Sequence, residues 1–115
     1  NSAGQYRTTG SINGRPVSFL VDTGATIVAI NSITAKSLGI DSSRGRVLRA
    51  TTASGVVESA EVFLDIVKVG GIKIRNVQAA VIPGSFPLDI LLGMSFLRNV
   101  EIRENAGTMQ LTTKY

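Results

Sequence analysis

Three consecutive residues, Asp22-Thr23-Gly24, interrupt an otherwise apolar stretch of β character. Before them runs Val17-Ser18-Phe19-Leu20-Val21, with Phe19 and Val21 on one face. After them, Thr26 to Ile30 is rich in β-branched residues. A carboxylate between two strands that both belong in a core is costly unless its charge is stabilised. Gly24 lets the loop fold tightly enough for backbone N–H groups to reach it. A plain β-turn aspartate is the ordinary alternative, and apolar flanks on both sides argue against it.

The surrounding pattern is mostly of period two, punctuated by Gly-containing turns, and predicts an all-β chain. Asn13-Gly14 predicts a type I′ hairpin between residues 5–12 and 17–21. Asn31-Ser32 supplies an N-cap for a short helix over Ile33–Leu38, with Gly39 as its stop. Two long strands are expected within Arg46–Val69, parted by the small, polar Thr51-Thr52-Ala53-Ser54-Gly55, and Gly55 can take a positive φ. Gly70-Gly71 turns the chain into a strand over Ile72–Ile82. Pro83 to Pro87 reads as a loop, Asp89-Ile90-Leu91-Leu92-Gly93 as a short apolar strand, and Met94–Arg98 as a helical turn or two. Val100–Arg103 and Met109–Thr112 pair around Asn105-Ala106-Gly107. No internal repeat or linker is visible, so 1–115 reads as one domain, with residues 1–4 a frayed end.

Composition narrows the chemistry. Neither Cys nor His occurs among the 115 residues, which removes structural zinc sites, thiol redox chemistry and both Ser-His-Asp and Cys-His catalysis. An enzyme built from this chain must use carboxylates, Lys, hydroxyls or the backbone. The net charge of +4 is spread over scattered Lys and Arg, with only Arg44, Arg46 and Arg49 clustered. Aromatics are too few for the interleaved basic and aromatic pattern of a nucleic-acid surface. No apolar run is long enough to span a membrane. Because the first residue is Asn1, the chain is expected to be a processed or shortened piece, with any signal or anchor lying upstream.

Asp22-Thr23-Gly24-Ala25, the mid-chain Ala53-Ser54-Gly55, and Leu91-Leu92-Gly93 followed by Met94-Ser95-Phe96-Leu97 occur in that order. In this the sequence resembles the retropepsin-like aspartic proteases over residues 5–113, most closely the bacterial single-domain members. The resemblance implies a closed, mostly antiparallel β barrel with one or two short helices. It implies Asp22 as catalytic carboxylate, Thr23 as a hydroxyl locking two loops together, and Gly24 as room for the substrate backbone. It also implies a flap, Thr51 to Val57, in which Thr52, Ala53, Ser54, Gly55 and Val56, together with Ala25, meet an extended polypeptide substrate. No metal or organic cofactor is implied. The bacterial members are often exported behind a membrane anchor, so a periplasmic location is expected.

Carboxylate-based peptide hydrolysis requires a base and an acid, which two carboxylates sharing one proton supply. The other acids suit this poorly: Asp41 and Glu58 lie in polar stretches, Glu61 and Asp65 on the outward phase of a strand, and Asp89 at the start of an apolar one. The second carboxylate is therefore expected from Asp22 of a second copy, in a two-fold homodimer. Retroviral members carry a second Asp after D-T-G-A and an Arg after the later Gly. Here Thr26 and Met94 stand in those places, so dimer contacts through that charged network are absent. Pepsin-like members carry a hydroxyl where Ala25 stands, and without it the shared proton is expected to persist to higher pH. A catalytically inactive dimerisation or peptide-binding module of the same fold, and a small β-barrel nucleic-acid binder, are the alternatives. Intact Asp22-Thr23-Gly24 weighs against the first, and the scarcity of aromatics against the second.

Overall fold

In a computed structural model, residues 6–52 and 55–114 are described. The chain forms β1 (Tyr6–Ile12), β2 (Arg15–Val21), β3 (Val28–Asn31), α1 (Ser32–Ser37), β4 (Val47–Thr52), β5 (Gly55–Val69), β6 (Ile72–Ile82), β7 (Ile90–Leu92), α2 (Met94–Leu97), β8 (Val100–Asn105) and β9 (Thr108–Thr113). Asn13 and Gly14 turn β1 into β2 with φ of 51° and 84°, the two left-handed residues that a type I′ hairpin demands. Asn13 also exchanges hydrogen bonds with Ile66. Its N–H donates to the Ile66 carbonyl at 2.8 Å, and its side-chain oxygen accepts the Ile66 N–H at 3.1 Å. Next to this junction, Gly10–Ile12 of β1 pair with Val67–Val69 of β5.

That pairing closes a six-strand barrel in the order β1-β2-β7-β3-β6-β5, with β4 continuing outward from β5. The β1–β2, β1–β5, β5–β6 and β3–β7 pairs are antiparallel, whereas β2–β7 and β3–β6 are parallel. The closed, mostly antiparallel barrel with one or two short helices expected from the sequence is observed, as a mixed barrel with two. Short β7 threads between β2 and β3, two strands that lie close in sequence but do not pair with each other. The strands send Phe19, Val28, Ile30, Leu64, Val67, Val77 and Leu92 inward, β5 changing phase between Leu64 and Val67, where α2 adds Phe96 and Leu97. β8 and β9 form a separate hairpin, whose half-buried Ile102, Met109 and Leu111 pack on this core.

Strand β3 begins at Val28 rather than Thr26 because residues 22–27 are taken up in a loop across the end of β7. Asn31 caps α1 as expected, with its side-chain oxygen accepting the Thr34 N–H at 2.7 Å.

Candidate active site

Asp22 lies where β2 ends, and three hydrogen bonds define its place. Its N–H donates to the Leu92 carbonyl at 3.2 Å, its carbonyl accepts the Ala25 N–H at 3.1 Å, and its carboxylate Oδ1 accepts the Gly24 N–H at 2.9 Å. The side chain is half-buried. A Cβ at Gly24 would stand 3.2 Å from Asp22 Oδ1, close enough that the carboxylate would have to shift by a few tenths of an ångström. Thr23 is exposed, and its hydroxyl has no hydrogen-bond partner among the described residues. Ala25 is 3% exposed, and its carbonyl accepts the Met94 N–H at 2.8 Å. In the single chain, Ala25 supports the loop from within.

The loop and the β7–α2 junction fit against each other without slack. At Gly93 a Cβ would run into the Ile27 carbonyl and stand 2.9 Å from the Ala25 carbonyl oxygen. Only glycine allows the loop to cross at this level. One turn on, the buried Ser95 hydroxyl accepts the Val28 N–H at 3.0 Å and donates to the Gln78 carbonyl at 2.7 Å. It thus ties the first residue of β3 to β6. Sequence reading placed Ser95 only within a helical turn. A serine in an apolar segment is a hint, but its partners lie far away along the chain.

Beside Asp22 the outward phase of the barrel strands is apolar. Ala29, Ile82 and Leu91 form a buried cluster separate from the core, with half-buried Leu20 and Val57 against it. Leu20 alternates with inward Phe19 and Val21, so it shares the phase of Asp22 two residues later. Val57 belongs to β5 near the tip of the β4–β5 hairpin, where Thr52 faces Gly55. Through Val57, the tip end of that hairpin therefore touches the same apolar strip. Gly55 has φ of 115°, and Val56 is 64% exposed. Ala53 and Ser54 lie outside the described residues.

Three of the remaining acids, Asp89, Asp41 and Glu61, are engaged elsewhere. Asp89 pairs with Arg7 at 3.0 Å. Asp41 accepts the Ser43 hydroxyl and N–H, which lowers its pKa below the usual carboxylate value, the hydroxyl contributing most. Glu61 lies on the outward phase of β5, as its place in the strand pattern predicts, yet it is covered there. Its side chain is only 10% exposed, bound to Arg46 Nε at 2.7 Å and to Gln78 Nε2 at 2.7 Å. The bond from Arg46 is the main cause of its lowered pKa, and Arg46 is raised in turn. Strand alternation put Glu61 on the correct side of β5, but the chain before β4 folds back there: Glu61 N–H donates to the Arg46 carbonyl at 2.8 Å. Among the described residues, no cluster of three or more His, Cys, Asp or Glu could hold a metal ion, and no helix is long and apolar enough to cross a membrane.

Comparison with known proteins agrees with this geometry. Residues 8–99 match the family model described as "gag-polyprotein putative aspartyl protease". The chain is 35% identical over 100 residues to an uncharacterized protein encoded in the cobV 5′ region of Sinorhizobium sp, a match covering 86% of this chain and 43% of that protein. It is 32% identical over 95 residues to an uncharacterized protein of Rickettsia prowazekii, covering 82% of this chain and 40% of the other. The chain thus spans about two fifths of the length of these curated relatives. Among solved structures, a retropepsin-like aspartic protease from Rickettsia conorii matches with a TM-score of 0.76 at 28% identity, over 96% of this chain and 83% of that one. A family match that contains the Asp22 loop, β7 and α2, joined to the barrel threaded by β7, makes this chain a member of the retropepsin-like aspartyl protease family.

Proposed function

We propose that the protein is a homodimeric aspartic endopeptidase, each subunit contributing one Asp22 to a central pair. The observation that carries this is the presentation of Asp22. One carboxylate oxygen is held by the Gly24 N–H, on a loop fixed by Leu92, Gly93 and Met94, beside an apolar strip. One such carboxylate is half of a catalytic site. A two-fold axis beside the loop would bring a second copy to it, and the exposed Thr23 hydroxyls, without a partner among the described residues, would hydrogen-bond across it.

In the pair, mutual repulsion keeps one proton shared between the two carboxylates. The ionised member takes a proton from a bound water, which attacks the scissile carbonyl. The protonated member donates to the carbonyl oxygen as the tetrahedral intermediate forms. Collapse of that intermediate breaks the C–N bond and returns a proton to the leaving amine. The peptide lies extended along the strip of Leu20, Ala29, Ile82 and Leu91, where apolar side chains find apolar walls. The β4–β5 hairpin, from Thr51 to Val57, serves as a flap that closes over the peptide and excludes water. Its strands, with Gly55 and Val56 at the rim, offer backbone groups to an extended substrate.

Asp22→Asn tests the reading. The amide keeps an acceptor for the Gly24 N–H, so the fold is retained, while hydrolysis of a denatured protein substrate at acid pH should disappear. Specific activity of the wild type should also fall on dilution as subunits part. Undiminished hydrolysis by purified Asp22→Asn protein would overturn the assignment. A dilution-independent rate from a monomer would overturn the shared site.

A further inference from the structure

One edge of β5 is only partly covered. On its other side β6 accompanies β5 from Ala60 to Val69. On the edge away from β6, β4 pairs with Gly55 to Ala60, and β1 pairs with Val67 to Val69. Past β4, the Glu61 N–H still donates to the Arg46 carbonyl at 2.8 Å. Before β1, Asn13 holds both backbone groups of Ile66, at 2.8 Å and 3.1 Å. Between these two points, among the described residues, no strand lies on that edge. Backbone groups in an antiparallel ladder alternate between the two sides of a strand. Glu61 faces Arg46, so Val62 faces β6, and Phe63 turns its N–H and C=O to the open edge. An uncovered sheet edge is a template for another extended chain.

A pocket of about 330 Å³ lies over this gap, between β5 and the segment that leads into β4. Ile40, Val62, Phe63 and Leu64 give it apolar lining, and Phe63 is 53% exposed. Arg44 also lines it, is exposed, and has no hydrogen bond or ion pair among the described residues. The two acids of the lining are engaged: Asp41 accepts from Ser43, and Glu61 from Arg46 and Gln78. The pocket therefore combines an open backbone donor and acceptor, an apolar lining and one unmatched cation.

Both ends of the gap are closed. At one end a Cβ on Gly45 would run into the Glu61 carbonyl and stand 3.1 Å from the Glu61 nitrogen, so the chain is pressed against β5 there. At the other end stands Asn13. Glu61 to Ile66 spans ~16 Å at ~3.3 Å per residue, room for about three residues between the two stops. A strand running straight through would collide with one stop or the other. A chain end needs only one exit. Arg44 adjoins Gly45, at the Glu61 end, and its charge favours a carboxylate over an amine there.

We propose that this notch is a second binding site, which takes the C-terminal end of a polypeptide as an added strand. The tail runs antiparallel to β5, with its terminal carboxylate at Arg44. Its penultimate residue lies opposite Phe63, donating its N–H to the Phe63 carbonyl and accepting the Phe63 N–H. The side chain of that residue shares the sheet face of Phe63 and packs on the exposed ring. The ligand class is a free C-terminus with apolar residues at its last two positions, held by main-chain pairing and carboxylate capture. None of this involves Asp22.

The test uses the Asp22→Asn protein, so that no peptide is cut, and backbone amide resonances as the reporter. The probes are acetyl-Thr-Val-Val with a free carboxyl, the same peptide as its C-terminal amide, and the free acid N-methylated at the penultimate valine. The acid should shift Val62, Phe63 and Leu64 saturably. The amide should bind about tenfold more weakly, the scale of one hydrogen bond to a charged group. Arg44→Ala, in an exposed loop, should weaken the acid by a similar factor and leave acid and amide equal. N-methylation removes the N–H that pairs with Phe63 and should also weaken binding about tenfold. Absence of saturable shifts, or shifts confined to Leu20, Ala29 and Leu91 beside Asp22, overturns the notch. A preference for the acid that survives Arg44→Ala overturns the carboxylate assignment. Equal binding of the N-methylated peptide overturns the strand pairing. Hydrolysis by the wild type enters none of these outcomes, so the endopeptidase reading and the notch stand or fall separately.

Discussion

The Asp22 loop and the β4–β5 hairpin each depend on a glycine, for opposite reasons. Gly93 is enclosed: any side chain would run into the Ile27 carbonyl, and its surroundings are backbone atoms that cannot swing aside. Gly55 meets nothing within 4 Å of a built Cβ, but its φ of 115° is one that side chains resist. The first glycine is selected by space and the second by torsion. Around Gly93, the Ala25 carbonyl, the Leu92 carbonyl and the Ser95 hydroxyl each hold part of the loop or of β3. The hairpin extends outward as the last strand pair of the sheet, and among the described residues β4 pairs only with β5. A firmly set carboxylate beside a lightly supported hairpin is the division of labour expected of an enzyme that must preorganise its reacting group and still admit a polypeptide.

The sharpest break in that contrast is Gly93→Ala. Overpacking against fixed backbone should cost about 3 kcal/mol, seen as a lowered urea midpoint together with loss of activity. A midpoint near that of the wild type would show that the loop has slack after all. Next comes Ser95→Ala, which strands a buried N–H on Val28 and removes the donor to Gln78. About 2 kcal/mol of stability should be lost, and hydrogen exchange at Val28 should accelerate. Gly55→Ala should be milder in unfolding experiments, about 1 kcal/mol, with its effect concentrated in KM for peptides. A larger stability loss than in Ser95→Ala would reverse the comparison. Glu61→Gln gives the smallest effect at neutral pH. Its interest lies in acid, because the pKa of Glu61 is lowered by Arg46. The stabilisation it contributes is complete above the ordinary Glu value, about pH 4.3, and is lost as pH falls through the lowered folded value. The Tm of the wild type should therefore drop more steeply than that of Glu61→Gln below about pH 4.3. Parallel curves would remove Glu61 from the acid response.

Local chemistry made much of the fold legible. Asn13-Gly14 specified its turn through two residues that tolerate positive φ, Asn31 announced a cap, and period-two runs located the strands. The position of Asp22 was legible because a charged residue between apolar strands needs a reason. Contacts between distant segments were not. Nothing periodic reveals that β7 lies between β2 and β3, or that the Ser95 hydroxyl meets Val28 and Gln78. What covers Glu61 was hidden for the same reason: alternation gives the face of a strand, not what folds across that face.

The threading of β7 also sets a schedule. A nascent chain that has passed Gly24 already carries every side chain of the aspartic loop, yet it lacks the Leu92 carbonyl that receives the Asp22 N–H and the Met94 N–H that binds Ala25. Those groups come from the last third of the sequence, and closing so long a loop delays their arrival. Assembly of the loop is therefore a late event in the life of the chain. During synthesis, the Asp22 loop can mature only when the strand and helix that hold it, β7 and α2, have been made and folded.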